Sequence, residues 1–148
     1  MKQANALLLY YAMKQQQQLL KAMNSSLSGL PRPQPSADED GKVRMTETRV
    51  YIGLNDSETR QQKYDTGKYL DTLKEVCRGY HTAFSVDIEE GGYYHEDGEY
   101  VEETSLILVL INADRDTVQK IAGDLRSFFH QESVLVTESV VTGCFITK

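Results

Sequence analysis

The sequence predicts an α+β domain in which four strands and two helices alternate as β-α-β-β-α-β, and three observations carry that expectation. Residues 67–80, GKYLDTLKEVCRGY, and the segment after Asp114 each repeat apolar residues at helical spacing. Between them, AFSVDIE (83–89) alternates apolar and polar residues, and SLILVLIN (105–112) is apolar throughout. Two further apolar runs, RVYIGLN (49–55) and SVLVTESVV (133–141), flank the helices on the outside.

Taken in order, RVYIGLN forms a first strand, and residues 56–64 form a polar loop. Tyr69, Leu70, Leu73, Val76, Cys77 and Tyr80 fall on one face of the first helix. Asp65 or Thr66 can cap its start and Gly79 can stop it. In the second strand Phe84, Val86 and Ile88 point inward against Ser85, Asp87 and Glu89. The run 105–112 reads as a strand covered on both faces. Asp114 caps a second helix with Val118, Ile121, Ala122, Leu125, Phe128 and Phe129 on one face, and 133–141 is the last long strand. CFITK (144–148) adds a short edge strand, with Cys144 near it. This order is the split-βαβ, or ferredoxin-like, arrangement: an antiparallel sheet with both helices on one face. Its other face is left to be covered, by a second copy in a dimer or trimer or by the N-terminal helix.

The domain spans 48–148. Ahead of it, residues 1–23 read as an amphipathic helix, with Leu9, Met13, Leu20 and Met23 on an apolar stripe suited to self-association or docking. Residues 24–47 read as a linker, Pro-rich at PRPQP and acidic at SADEDGK. The apolar run ANALLLYYAM is ten residues, against the roughly 20 that a bilayer needs. It is followed by MKQQQQ rather than a small-residue cleavage site, so a cytoplasmic protein is expected over a secreted one.

Charge is unevenly spread. The net charge is −6; residues 1–48 hold six Lys/Arg and four Asp/Glu, whereas 49–148 hold ten and eighteen. Such a domain repels a phosphate backbone, which argues against direct nucleic-acid binding and for partners with a basic surface. Two cysteines, Cys77 and Cys144, make neither a disulfide framework nor a zinc set, and both read as buried thiols.

The stretch EEGGYYHEDGEYVEE (89–103) has seven acidic residues, three tyrosines, one histidine and no basic residue. With 83–95 and 100–111 paired, it is the extended turn between two central strands, EDGE (96–99) turns, and Asp97-Gly98 forms the tip. Gly91-Gly92 then marks a bulge or bend. Glu89, Tyr93 and His95 share one face; Glu90, Tyr94 and Glu96 share the other. No D-x-D-x-D-G spacing or second histidine points to a metal or cofactor, and no catalytic constellation stands out.

The strand VYIGLN, the hairpin GGYYHEDGEYVEETSLILVLIN and the run FFHQESVLVTESVV resemble a small bacterial domain family of unknown function. The matching positions are Gly53, Leu54, Gly98, Glu103, Ser105, Phe129, Gln131, Glu132, Ser133, Val134 and Leu135. The resemblance covers about 95 residues and implies the fold without an activity. The strand order is also similar to that of PII-like signalling proteins, trimers with a long loop where the acidic stretch lies; no phosphate-binding glycine loop accompanies it.

The reading that follows is a non-enzymatic, self-associating interaction module, such as an inhibitor encoded by a phage or mobile element. It would present Glu89, Glu90, Tyr93, Tyr94, His95, Glu96, Asp97, Glu99, Tyr100 and Glu103 to a protein partner, with tyrosine anchors and an acidic rim. The alternative is a small-ligand-binding or catalytic module with a pocket between protomers, drawing on Glu89, Tyr94, His95 and Glu103.

Overall fold

The computed structural model describes residues 41–148. The expected helix at 1–23, its stripe of Leu9, Met13, Leu20 and Met23, and the linker up to residue 40 lie outside the described residues. Met45–Val141 form one compact unit, and the described residues on either side fall outside it.

The elements run β1 (Val43–Gly53), α1 (Thr66–Gly79), β2 (Ser85–Tyr94), β3 (Tyr100–Ile111), α2 (Arg115–Phe128) and β4 (Leu135–Gly143). The sheet order is β2-β3-β1-β4, antiparallel, as the β-α-β-β-α-β reading requires. β1 starts at Val43, six residues ahead of the expected strand. β2 is an edge strand, so the acidic stretch joins an edge strand to a central one rather than two central strands. Residues 144–148 form no strand, and Cys144 is exposed rather than buried.

Asp65 caps α1, accepting a hydrogen bond from the Lys68 N–H at 2.9 Å; Asp114 does the same for α2 through Thr117 at 2.9 Å. Gly79 is still helical. The left-handed residue that ends α1 is His81 (φ 52°), and His130 (φ 53°) plays that part after α2. Two histidines thus take positions that glycine usually fills, which is why a glycine-based stop signal misplaced the helix end.

The core lies between helices and sheet. Tyr69, Leu73, Val76 and Cys77 of α1, with Val118, Ile121 and Leu125 of α2, cover Val50, Ile52, Leu106, Leu108 and Leu110. Each fully buried side chain of this kind contributes about 1.5–3 kcal/mol. Burial pushes the Cys77 thiol up to about 12, so it behaves as a small apolar group. Ile107 points to the opposite face yet is only 1% exposed, so the run 106–110 is buried on both sides at its centre. On β2 the inward residue Ile88 is instead 53% exposed although its partner Leu106 is buried, because β2 is the edge of the sheet; beyond it, the hairpin overhangs the end of β1 at Gly53.

Candidate functional site

That overhang is built by register. β2 and β3 pair without interruption from Ser85↔Val109 to Tyr94↔Tyr100. The glycine pair makes no bulge: Gly91 faces Glu103 and Gly92 faces Glu102 in ordinary pairs. Gly92 has another reason to lack a side chain, since a Cβ there would run into the Tyr100 ring. The turn is tighter than expected. His95 and Glu99 close it through a 2.9 Å N–H···O bond, and Gly98 takes φ +85°. Asp97 accepts the Glu99 N–H at 3.0 Å.

Strict pairing sorts the candidate residues onto two faces. Tyr94 and Tyr100 lie on the helix side, their rings 5.3 Å apart, 74% and 52% exposed. Glu90 shares that parity. Glu89, Tyr93, His95 and Glu103 share the open face. Tyr94 is therefore separated from Glu103, and Tyr93 takes the place that the ligand-site reading gave it. Tyr93 and His95 pack edge to face at 5.0 Å, with the Tyr93 hydroxyl and His95 Nε2 3.4 Å apart. Asp97 and Glu99 at the tip share the Arg60 guanidinium, at 3.3 and 3.4 Å. Glu96 is exposed.

Glu103 is the most distinctive of these residues. Its carboxyl lies against the bare Cα of Gly53, where a Cβ would collide with it. Glu103 Oε2 accepts the Asn55 backbone N–H at 3.0 Å, and the Asn55 side chain donates to the Glu102 carbonyl at 3.0 Å. Burial pushes the Glu103 carboxyl above its ordinary value, against the Asn55 N–H and the nearby His95. Tyr93 is also raised, by burial and then by the charge of Glu103. A groove of about 500 Å³ reaches Glu103 from the helix side of the hairpin, lined by Asn55, Gln62, Glu90, Tyr100, Glu102 and Glu103; Tyr93 and His95 lie outside it. It belongs to a single chain. Negative charge, amide groups and the Tyr100 ring suit it to a small cation with hydrogen-bonding arms.

The loop after β1 supplies the parts that sequence reasoning missed. Read only as polar, it is in fact highly ordered by Asp56, which is 3% exposed. Asp56 Oδ1 accepts the N–H groups of Glu58 (2.9 Å) and Thr59 (3.1 Å), and Oδ2 meets Lys63 Nζ at 3.0 Å. The Asp56 N–H donates to the Gln61 carbonyl, and Asn55 bridges to Gln62. The signal available in sequence was Gly53, a glycine inside an apolar strand, which marks a close approach.

A second cleft of about 720 Å³ lies between α2 and β4, with Thr48, Val118, Ala122 and Val136 inside and Arg115 and Arg126 among its lining residues. It gathers no comparable group. Among the described residues no set of three or more His, Cys, Asp or Glu is arranged to hold a metal ion, and no helix is long and apolar enough to cross a membrane.

No protein-family model and no curated protein matches the chain. Among solved structures, it is similar to a phage SAM lyase in complex with S-methyl-5'-thioadenosine, at 19% identity and a TM-score of 0.52, covering 78% of this chain and 97% of that one. The phage SAM lyase in its apo state is similar at 21% identity and a TM-score of 0.51, covering 70% and 91%. CutA from Synechococcus elongatus follows at 10% identity and a TM-score of 0.46, covering 74% and 83%. At this level of identity the likeness concerns the fold alone, and it agrees with the ferredoxin-like α+β domain that the sequence resemblance implied.

Proposed function

We propose that this chain binds a small organic cation at Glu103, and that the cation is the sulfonium nucleoside S-adenosylmethionine, which it cleaves to S-methyl-5'-thioadenosine. The observation that carries the reading is the half-buried Glu103 carboxylate, held over Gly53 by the Asn55 N–H beside Tyr93 and His95. A carboxylate kept partly out of water is costly unless something compensates it, and a bound cation does so. The Tyr100 ring adds to cation binding, and the side-chain carbonyl oxygens of Asn55 and Gln62, whose NH₂ groups donate within the fold, accept hydrogen bonds from polar arms. The site chemistry thus selects a cation; the fold neighbour's name, a SAM lyase, indicates which one to test first. In that cleavage the bond from sulfur to the aminobutyryl arm breaks with its electron pair left on sulfur, while an oxygen of the arm's own carboxylate bonds to the released carbon and closes a lactone; sulfur loses its positive charge and the carboxylate its negative one.

The test is calorimetric titration of the full chain with S-adenosylmethionine and with S-adenosylhomocysteine, whose sulfur is neutral, together with chromatography for S-methyl-5'-thioadenosine. Tighter binding of the sulfonium compound is expected, lost in Glu103→Gln. Equal affinity for the two, or binding of neither, overturns the reading. Binding without product keeps the binding site and removes the lyase activity.

A second reading, a self-associating module that recognises a basic protein surface, is favoured by one observation. The Tyr94–Tyr100 pair is exposed on the helix side of the hairpin, flanked by Glu90 and Glu102, and of the two rings Tyr94 stands outside the groove. Affinity capture with Tyr94→Ala/Tyr100→Ala tests it: an unchanged set of captured proteins removes the pair as a recognition surface.

A further inference from the structure

We infer that Gln131, just past the end of α2, is a positioning residue for the Glu103 carboxylate and acts on it through Asn55. The inference rests on the reading that Glu103 is the charged group of the site. Gln131 Nε2 donates to the Asn55 carbonyl at 2.6 Å and to the Phe129 carbonyl at 3.2 Å. Asn55 in turn donates its N–H to Glu103 Oε2 and its side-chain amide to the Glu102 carbonyl. The same corner grips the loop a second time, where the Ser57 N–H donates to the His130 carbonyl at 3.0 Å.

The chemistry explains why a glutamine stands there. Two carbonyl oxygens converge on one point, and a side-chain amide offers two N–H donors to them. A carboxylate would oppose both, and an aliphatic chain would leave both without a donor. Residue 55 is consequently held by its N–H, its side chain and its carbonyl at once. The direction of its N–H toward Glu103 is set from the far end of α2, which is 76 residues away in sequence. Glu103 is faced by that N–H from the loop and by His95 from the hairpin, and Tyr93 senses its charge.

The experiment reads Glu103 itself and needs no ligand, so it can fail independently of S-adenosylmethionine binding. In the full chain, the carboxyl carbon of Glu103 is titrated by NMR and assigned by its disappearance in Glu103→Gln. In the wild type, the Asn55 N–H and the Gln131 side-chain NH₂ resonances are expected to shift with the same midpoint. In Gln131→Leu the Glu103 midpoint is expected to rise by about half a pH unit or more, because a hydrogen bond that favours the charged form is lost. Gln119→Ala, an exposed change on α2, leaves it unmoved. A purely structural role would lower thermal stability without moving the midpoint, and that result overturns the inference. Should Gln131→Leu fail to fold, the wild-type titration decides alone: a Gln131 NH₂ resonance indifferent to Glu103 ionisation also overturns it.

Discussion

Two carboxylates, Asp56 and Glu103, lie at neighbouring points of this domain and differ in nearly everything that matters. Asp56 is buried, and burial pushes its pKa up. The hydrogen bond from Lys63 and the N–H groups of Thr59 and Glu58 outweigh that and leave it below its ordinary value. Glu103 is half-buried, accepts one backbone N–H and has no cation in contact among the described residues, so burial wins and its pKa is raised. The first has its charge fully answered within the fold and works as a structural staple. The second keeps an unanswered charge beside a groove, which is the arrangement that invites a ligand. The difference teaches that burial of a carboxylate says little about function until its donors are counted.

The comparison is most severely tested at Asp56. Asp56→Ala should cost about 2–3 kcal/mol, because Lys63 and two N–H groups lose their acceptor. In a domain of this size that lowers the melting temperature by about 10 °C or more, read by circular dichroism. A loss of a degree or two would show that the loop does not depend on it.

Glu103→Gln should do the reverse. Binding of the sulfonium ligand, or its turnover, should fall by about 10²-fold, while the melting temperature at neutral pH stays level or rises by a few degrees. A collapse in stability comparable to that of Asp56→Ala would make Glu103 a structural carboxylate after all.

The two should also part in their pH dependence. Asp56 has a lowered folded pKa, so its stabilisation is present above the ordinary carboxylate range and is lost as pH falls through that lowered value. Glu103 has a raised folded pKa. Its contribution favours folding below the ordinary range and is lost as pH rises through the raised value. The stability advantage of Glu103→Gln over wild type should therefore be absent in acid and appear as pH rises. A constant offset across denaturant melts from acid to neutral pH would contradict this.

A smaller effect is expected at Gly53→Ala. Its backbone suits any residue, but the added methyl displaces the Glu103 carboxyl and should weaken ligand binding by about tenfold with a modest loss of stability. Smallest of all, Tyr94→Ala should change the melting temperature by less than a few degrees, since the ring is mostly exposed. Sulfonium binding that drops with Tyr94 and ignores Gly53 would move the site away from Glu103.

Much of the fold was legible in the chain. Apolar spacing located both helices, Asp65 and Asp114 announced their caps, and Asp97-Gly98 announced the turn, because each rests on contacts a few residues apart. The hairpin was legible as a region of interest, through its acidity and tyrosines. Errors arose where local signals had non-local causes. Gly92 looked like a bulge and instead makes room for the Tyr100 ring. His81 and His130 did the work of helix-ending glycines.

What the sequence by itself determined is therefore the element order, the helix starts and the alternation that splits the hairpin into two faces, since these follow from periodicity and backbone stereochemistry. Only the tertiary structure decided that β2 is an edge, that Tyr93 rather than Tyr94 accompanies Glu103, and that Gly53, Asn55 and Gln131 fix that carboxylate. Those facts depend on register and on groups up to 76 residues apart meeting at one point, and no local pattern carries them.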